Sequence, residues 1–187
     1  LNASTFAARV IASTRAGLFS SVTGALCALK GPLHGGAPGP VLDMLDSIGE
    51  HGNVSEWIAA ELERGERLMG FGHRIYRVRD PRADALKRAL GKLGDPTGRL
   101  AFAEEVEREA LRQLAERHPR RPLQTNVEFF TALILEAVGF DRDSFTNVFA
   151  AGRMAGWTAH VREQEQADRL IRPKSRYMGP MPKNLAI

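Results

Sequence analysis

Two histidines stand beside glycine in short turn-forming stretches, Gly31-Pro32-Leu33-His34-Gly35-Gly36 and Gly70-Phe71-Gly72-His73-Arg74. Imidazole can give or take a proton near neutral pH, and neighbouring glycine lets backbone and ligand approach closely. By itself His34 reads equally as such a group or as an incidental member of a turn. His73 is followed by Arg74, Arg77, Arg79 and Arg82. That density of guanidinium suits carboxylate or phosphate recognition. The plainer alternative is a solvated turn partly neutralised by Asp80. Gly70 and Gly72 expose backbone amides without making a G-x-G-x-x-G phosphate signature.

Glu128 stands among Val127, Phe129 and Phe130 at the start of the most apolar segment. Desolvation there raises a carboxyl pKa and suits a general base. Thr125-x-x-Glu128 also has the form of a helix capping box, which accounts for the acid locally and is compatible with the first role. Arg153 lies inside another apolar segment and calls for an anionic partner, either a distant side chain or a ligand. Arg172 falls in the tail, where exposed charge is the default. His51, His118, His160 and Glu163 read as solvated or structural. No His-x3-His or Cys pair accompanies any of these residues, so no metal site is expected.

The elements that must position these groups read as helices. Ser4 can cap a first helix running to about Ala16, and a second spans about Leu18 to Leu29. Val41, Met44, Leu45 and Ile48 mark one face of a third, and Asn53-x-x-Glu56 opens a fourth that stops at Gly65. Pro81 precedes a fifth, with Ala83, Leu86, Leu90 and Leu93 on one side. Leu100 to Arg117 forms a sixth, charged on its outer face. Val127 to Val138 and Ser144 to Ala159 lack a polar face and should be enclosed by other helices. No segment alternates with a period of two. The fold class is therefore all-α, with an irregular polar tail from Arg169 onward.

The chain has 187 residues, 43% hydrophobic and 26% charged, and reads as soluble and globular. No apolar run is long enough to cross a membrane, and no signal peptide is evident. The first residue is Leu1, so the chain reads as a possible fragment or processed piece. Cys27 is the single cysteine, which excludes an internal disulfide and suits a reducing, cytoplasmic setting. The net charge of +4 is small and its basic residues are interspersed with acids, which argues against nucleic acid as a partner.

With these residues in view, the chain resembles the C-terminal half of the citrate synthase family. The matching stretches are Leu1-Asn2-Ala3-Ser4-Thr5, Lys30-Gly31-Pro32-Leu33-His34-Gly35-Gly36-Ala37, Met69-Gly70-Phe71-Gly72-His73-Arg74-Ile75-Tyr76-Arg77, Asp80-Pro81-Arg82, Asn126-Val127-Glu128-Phe129-Phe130 and Arg172-Pro173-Lys174-Ser175. They occur in order along the whole chain. The resemblance implies an all-helical fold, with residues 1–29 and 151–187 in a large domain and 30–150 in a small domain that closes over the substrates. It implies an acyltransferase of the tricarboxylic acid cycle that condenses acetyl-CoA with oxaloacetate and hydrolyses citryl-CoA. 2-Methylcitrate synthase, which uses propionyl-CoA, is the near alternative. A non-catalytic helical module for coenzyme A binding or oligomerisation is the alternative of another class.

Carried over by residue, the resemblance makes Glu128 the base for the acetyl-CoA methyl proton and His34 the donor to the enol oxygen. His73, Arg82 and Arg153 become oxaloacetate ligands, with His73 also in the catalytic set. Gly70, Phe71, Gly72 and Arg77 fall at the coenzyme A site. Acetyl-CoA is a co-substrate, and no permanently bound cofactor is expected. Arg172 resembles an arginine that reaches the neighbouring subunit's site, which implies a homodimer. Three features depart from the family pattern. Its His-Glu pair before the stretch matching Leu1 is absent, so the 187 residues alone are expected to turn over poorly. Glu128 stands where Asp is usual, and Pro38 where Asn is common.

Overall fold

The computed structural model describes residues 1–187 except 32–33, 37, 73–77, 121–122 and 181–187. Among the described residues the chain forms eight α-helices and one short 3-10 turn, with no strand. They are α1 (Ala3–Ala12), α2 (Gly17–Leu29), α3 (Pro38–His51), α4 (Val54–Glu63), α5 (Pro81–Lys92), α6 (Leu100–Arg117), α7 (Val127–Ala137) and α8 (Phe145–Ala167). An all-α architecture was the expectation from periodicity, and it holds.

Local signals set most of the starts. Asn53 caps α4 by accepting the Glu56 amide, and Gly65 at φ 78° follows its end. Asp80 caps α5 ahead of Pro81, whose fixed φ suits a first helical position. On α3, Val41, Met44, Leu45 and Ile48 are all buried, together with Leu42. The α5 face is narrower than its sequence pattern, because Leu93 is the C-cap and is exposed while Ala83 and Leu90 are buried.

Three boundaries differ from the sequence reading. Asn2, not Ser4, caps α1: its side chain accepts the Thr5 amide and the Ser4 hydroxyl, both at 2.9 Å. α1 ends at Ala12, short of Ala16, because Arg15 and Gly17 take positive φ and turn the chain into α2. α8 runs past Ala159 to Ala167, since Trp157, Val161 and Gln164 extend one buried stripe at helical spacing. The left-handed conformation of Asp168 then stops it.

The apolar side chains gather into two clusters. The larger is built mainly from α3 to α7, with Phe129, Phe130, Leu42, Leu45, Ile48 and Leu133 at or near complete burial. The smaller joins α1, α2 and α8 through Ala8, Ala12, Ala25, Leu29, Ala150, Trp157 and Val161. α7 leaves none of its positions exposed, as its composition requires. The enclosure expected of the Ser144 to Ala159 segment is not provided by the described residues: Ala151, Gly152, Met154, Ala155 and Gly156 are exposed. Apart from Met154, these exposed residues are alanine and glycine, which leave little apolar area to hide there. Phe19 on α2 is 88% exposed and Phe6 on α1 is 51% exposed, so this smaller cluster carries an open apolar face.

Candidate active site

One wall of the site is the junction of α1, the His34 turn and α8. Ser4 is fully buried, and its hydroxyl, which donates to Asn2 Oδ1, faces the interior as an acceptor. It accepts from Trp157 Nε1 at 3.2 Å and lies 3.0 Å from His34 Nε2. The Ser4 backbone N–H donates to the same His34 Nε2 at 3.2 Å. Arg153 Nη1, one turn before Trp157 on α8, lies 3.3 Å from it.

These neighbours assign the histidine's proton. A backbone amide and a guanidinium can only donate, so Nε2 carries the lone pair and the proton sits on Nδ1. Partial burial and the Arg153 charge push the His34 pKa below 6.5, which favours the same neutral ring. The result is an uncharged imidazole with one N–H still to give.

The opposite wall is the start of α7. Here the structure corrects the capping-box reading: Asn126, not Thr125, caps the helix, its side chain accepting the Glu128 amide at 2.9 Å. The Thr125 hydroxyl instead donates to Glu107 at 2.7 Å. A carboxylate in a capping box reaches back to the cap residue's amide. That amide pairing is not made, and Oε2 of Glu128 is buried with no hydrogen-bond partner among the described residues. Glu136 also has an unpartnered Oε2, but its Oε1 takes Arg99 at 2.8 Å.

Burial raises the Glu128 pKa above 4.5, opposed by the charges of Arg153 and then Arg82, and assisted by Asp80. The Arg153 pKa is lowered first by burial, while Glu128 raises it and Arg82 lowers it further. Two guanidiniums that repel one another across one carboxylate form a natural seat for an anion. Arg153 also lies over the Phe149 ring, 4.4 Å from its centroid, which holds its stem in place.

A third segment closes the arrangement. The Gly70 carbonyl accepts the Asn126 amide at 2.9 Å, and the Gly72 carbonyl accepts Asn126 Nδ2 at 2.9 Å. Gly70 has φ 83°, and a Cβ there would come within 2.8 Å of Phe129 Cβ, so only glycine fits. Phe71 stacks obliquely on Phe129, their ring centroids 5.2 Å apart. Buried Asp80 accepts from Arg82 Nε at 3.0 Å and Nη2 at 2.7 Å, fixing that guanidinium at the head of α5.

His34, Glu128, Arg82 and Arg153 are thus brought together, with Gly70, Phe71 and Gly72 bordering Glu128's helix. His73 and Arg77 lie outside the described residues. Arg172 is exposed in the extended stretch after α8, and no hydrogen bond or ion pair joins it to this cluster among the described residues. His160 pairs at the surface with Glu163 and Arg9, both at 3.1 Å. The sequence reading missed Ser4, Trp157, Asp80 and Asn126 as supports. Asn126 stands next to Thr125 as one of two possible caps, and the choice between them, like the other three residues, needed the fold.

Comparison with known proteins gives a family match and several similar chains. A family model described as citrate synthase, C-terminal domain, matches residues 1–174. The putative citrate synthase 2 of Mycobacterium tuberculosis (strain ATCC 25618 / H37Rv) is 47% identical over 184 residues, covering 98% of this chain and 49% of the relative. The 2-methylcitrate synthase of the same strain is 44% identical over 178 residues, covering 95% and 44%. The crystal structure of citrate synthase from Thermotoga maritima MSB8 superposes with a TM-score of 0.82 at 42% identity, over 100% of this chain and 51% of that one. The citrate synthase of Thermoplasma acidophilum, solved with carboxymethyl coenzyme A and oxaloacetate, gives 0.84 at 33% identity, over 100% and 50%. The chain spans about half the length of these proteins.

Proposed function

The chain belongs to the citrate synthase family, and from that premise we propose that it supplies the condensing site of an acyltransferase joining acetyl-CoA to oxaloacetate. The observation that carries this reading is the buried, unpartnered Oε2 of Glu128, coupled to Arg153, which itself touches His34. A carboxylate kept out of its own helix cap and short of hydrogen bonds is a base held ready for a carbon acid.

Glu128 removes a proton from the acetyl-CoA methyl group. The negative charge moves to the thioester oxygen, where the Nδ1–H of neutral His34 donates to it. The resulting CH2 attacks the ketone carbon of oxaloacetate, forming the carbon–carbon bond; the ketone oxygen takes up a proton from water, and Glu128 later returns the proton it removed to solvent. Arg82 and Arg153 hold the substrate carboxylates, and His73 is assigned beside them by resemblance. Water then cleaves the citryl-CoA thioester, releasing coenzyme A and citrate. The Gly70 to Gly72 loop and Arg77 are assigned to the coenzyme. Arg172 is assigned to the site of a second subunit, and the open apolar face bearing Phe6 and Phe19 is compatible with such a dimer.

Glu128 in place of Asp adds one methylene, which moves the base by about one bond length, a displacement to which rate is sensitive. The 44% identical 2-methylcitrate synthase supports a second reading in which propionyl-CoA is the preferred thioester. Steady-state release of coenzyme A from each thioester, measured on the protein as encoded, decides between them. A higher kcat/KM for acetyl-CoA supports citrate formation, and a higher value for propionyl-CoA supports methylcitrate. No condensation with either would leave a coenzyme A-binding or oligomerising module. The 187 residues by themselves are expected to turn over poorly, and robust citrate formation by them would refute an incomplete site.

A further inference from the structure

We infer that Glu107, a buried carboxylate on α6 outside the site, is a positioning residue that holds Glu128 ready by keeping Thr125 out of the helix cap. The inference rests on the reading of Glu128 as base. Glu107 is 5% exposed. Its Oε1 accepts the Thr125 hydroxyl at 2.7 Å and pairs with Arg79 Nη1 at 2.9 Å, while Oε2 pairs with Lys87 Nζ at 3.2 Å. Thr125 immediately precedes the cap of α7. Arg79 immediately precedes Asp80, which caps α5 and grips Arg82. Lys87 lies on α5 itself, with Nζ 5.6 Å from the centroid of the Phe130 ring on α7. One carboxylate therefore ties α6 to α5 and to the lead-in of α7, two of the helices that carry the site.

The consequence for Glu128 follows from competing hydrogen bonds. Thr125-x-x-Glu128 has the composition of a capping box, in which the Thr hydroxyl takes the Glu amide and the Glu carboxylate returns to the Thr amide. That arrangement would spend the carboxylate on the backbone. With its hydroxyl donated to Glu107, Thr125 is held away from this role and Asn126 takes the Glu128 amide. The carboxylate stays buried within reach of the charges of Arg153 and Arg82. A catalytic group is only as well placed as the residues that lock its support.

The test compares Glu107→Leu, Thr125→Val, the double variant Glu107→Leu/Thr125→Val, and Thr125→Asp in the protein as encoded, with two readouts. Glu107→Leu releases the Thr125 hydroxyl to the cap and should lower kcat about tenfold with KM for both substrates nearly unchanged. Thr125→Val has no hydroxyl to cap with and should stay within about twofold of the parent, and adding it to Glu107→Leu should restore kcat. Amide hydrogen exchange in residues 127–130 should change in Glu107→Leu and return to the parental pattern in the double variant. Thr125→Asp, a cap that Glu107 repels, should lower kcat as Glu107→Leu does and decides the matter even if Glu107→Leu fails to fold. Parental kcat in Thr125→Asp, or a tenfold loss in Thr125→Val, would overturn the inference. If the parent condenses neither thioester, the reading of Glu128 falls, and the exchange comparison still decides whether Glu107 fixes the α7 start.

Discussion

The surroundings of Glu107 and of Glu128 are assembled from the same pieces, the Asp80 turn, the Thr125-Asn126 lead-in and the helices that follow them. Around Glu107 both carboxylate oxygens are engaged, by Thr125 and Arg79 on one and Lys87 on the other. Around Glu128 one oxygen is buried with no partner among the described residues, and the nearby cations act on it only through space. A buried carboxylate without hydrogen bonds is destabilising, whereas one fully paired resists removal. The two regions therefore divide between them what a single site cannot maximise: fixed geometry in one, an unspent base in the other.

The largest effect that would break this comparison is on turnover. Glu128→Gln should lower kcat by about 10²- to 10⁴-fold, the usual contribution of a general base, while the stability of the fold stays within about 0.5 kcal/mol or rises. Turnover like the parent's would remove Glu128 from the chemistry. Next in size, Glu107→Leu should cost about 2 kcal/mol in urea unfolding, because Thr125 loses its acceptor and Arg79 and Lys87 each lose one of two carboxylates, keeping Asp84 and Glu104. That figure is held below the cost of a wholly buried pair because the Arg79 and Lys87 side chains remain 31% exposed. Equal stability effects at the two glutamates would erase the distinction.

Legibility in the sequence followed the range of the interactions. The cap that Asn53 makes for Glu56, three positions on, could be read directly, as could Pro81 at the start of α5. His34, Glu128, Arg82 and Arg153 could be picked out as chemically unusual, and the fold does bring them together. The choice between Thr125 and Asn126 as cap could not be read, because a carboxylate on α6 makes it. Nor could Ser4 be seen as part of the His34 wall, since its partner Trp157 lies at the far end of the chain. The end of α8 escaped for a related reason: the apolar run stops at Ala159, but the buried stripe goes on through Val161 and Gln164 between exposed charged residues.

The smallest effect, and the one that tests the unspent base by itself, is the pH dependence of stability. The folded pKa of Glu128 lies above the ordinary 4.5, so between those two values the unfolded chain has released a proton that the folded chain keeps. Stability then falls as pH rises across that interval. The contribution is complete below 4.5 and is lost as pH passes the folded value. His34 runs the other way: its lowered pKa contributes stability present above 6.5 and lost as pH falls through the folded value. The difference in unfolding free energy between the parent and Glu128→Gln cancels His34 to first order. It should be flat below 4.5, move against the parent as pH rises, and level off above the raised pKa. The same raised pKa should appear as the acid limb of kcat/KM. A difference that stays flat throughout, with activity falling only near 4.5, would show a carboxylate as comfortable as any at the surface.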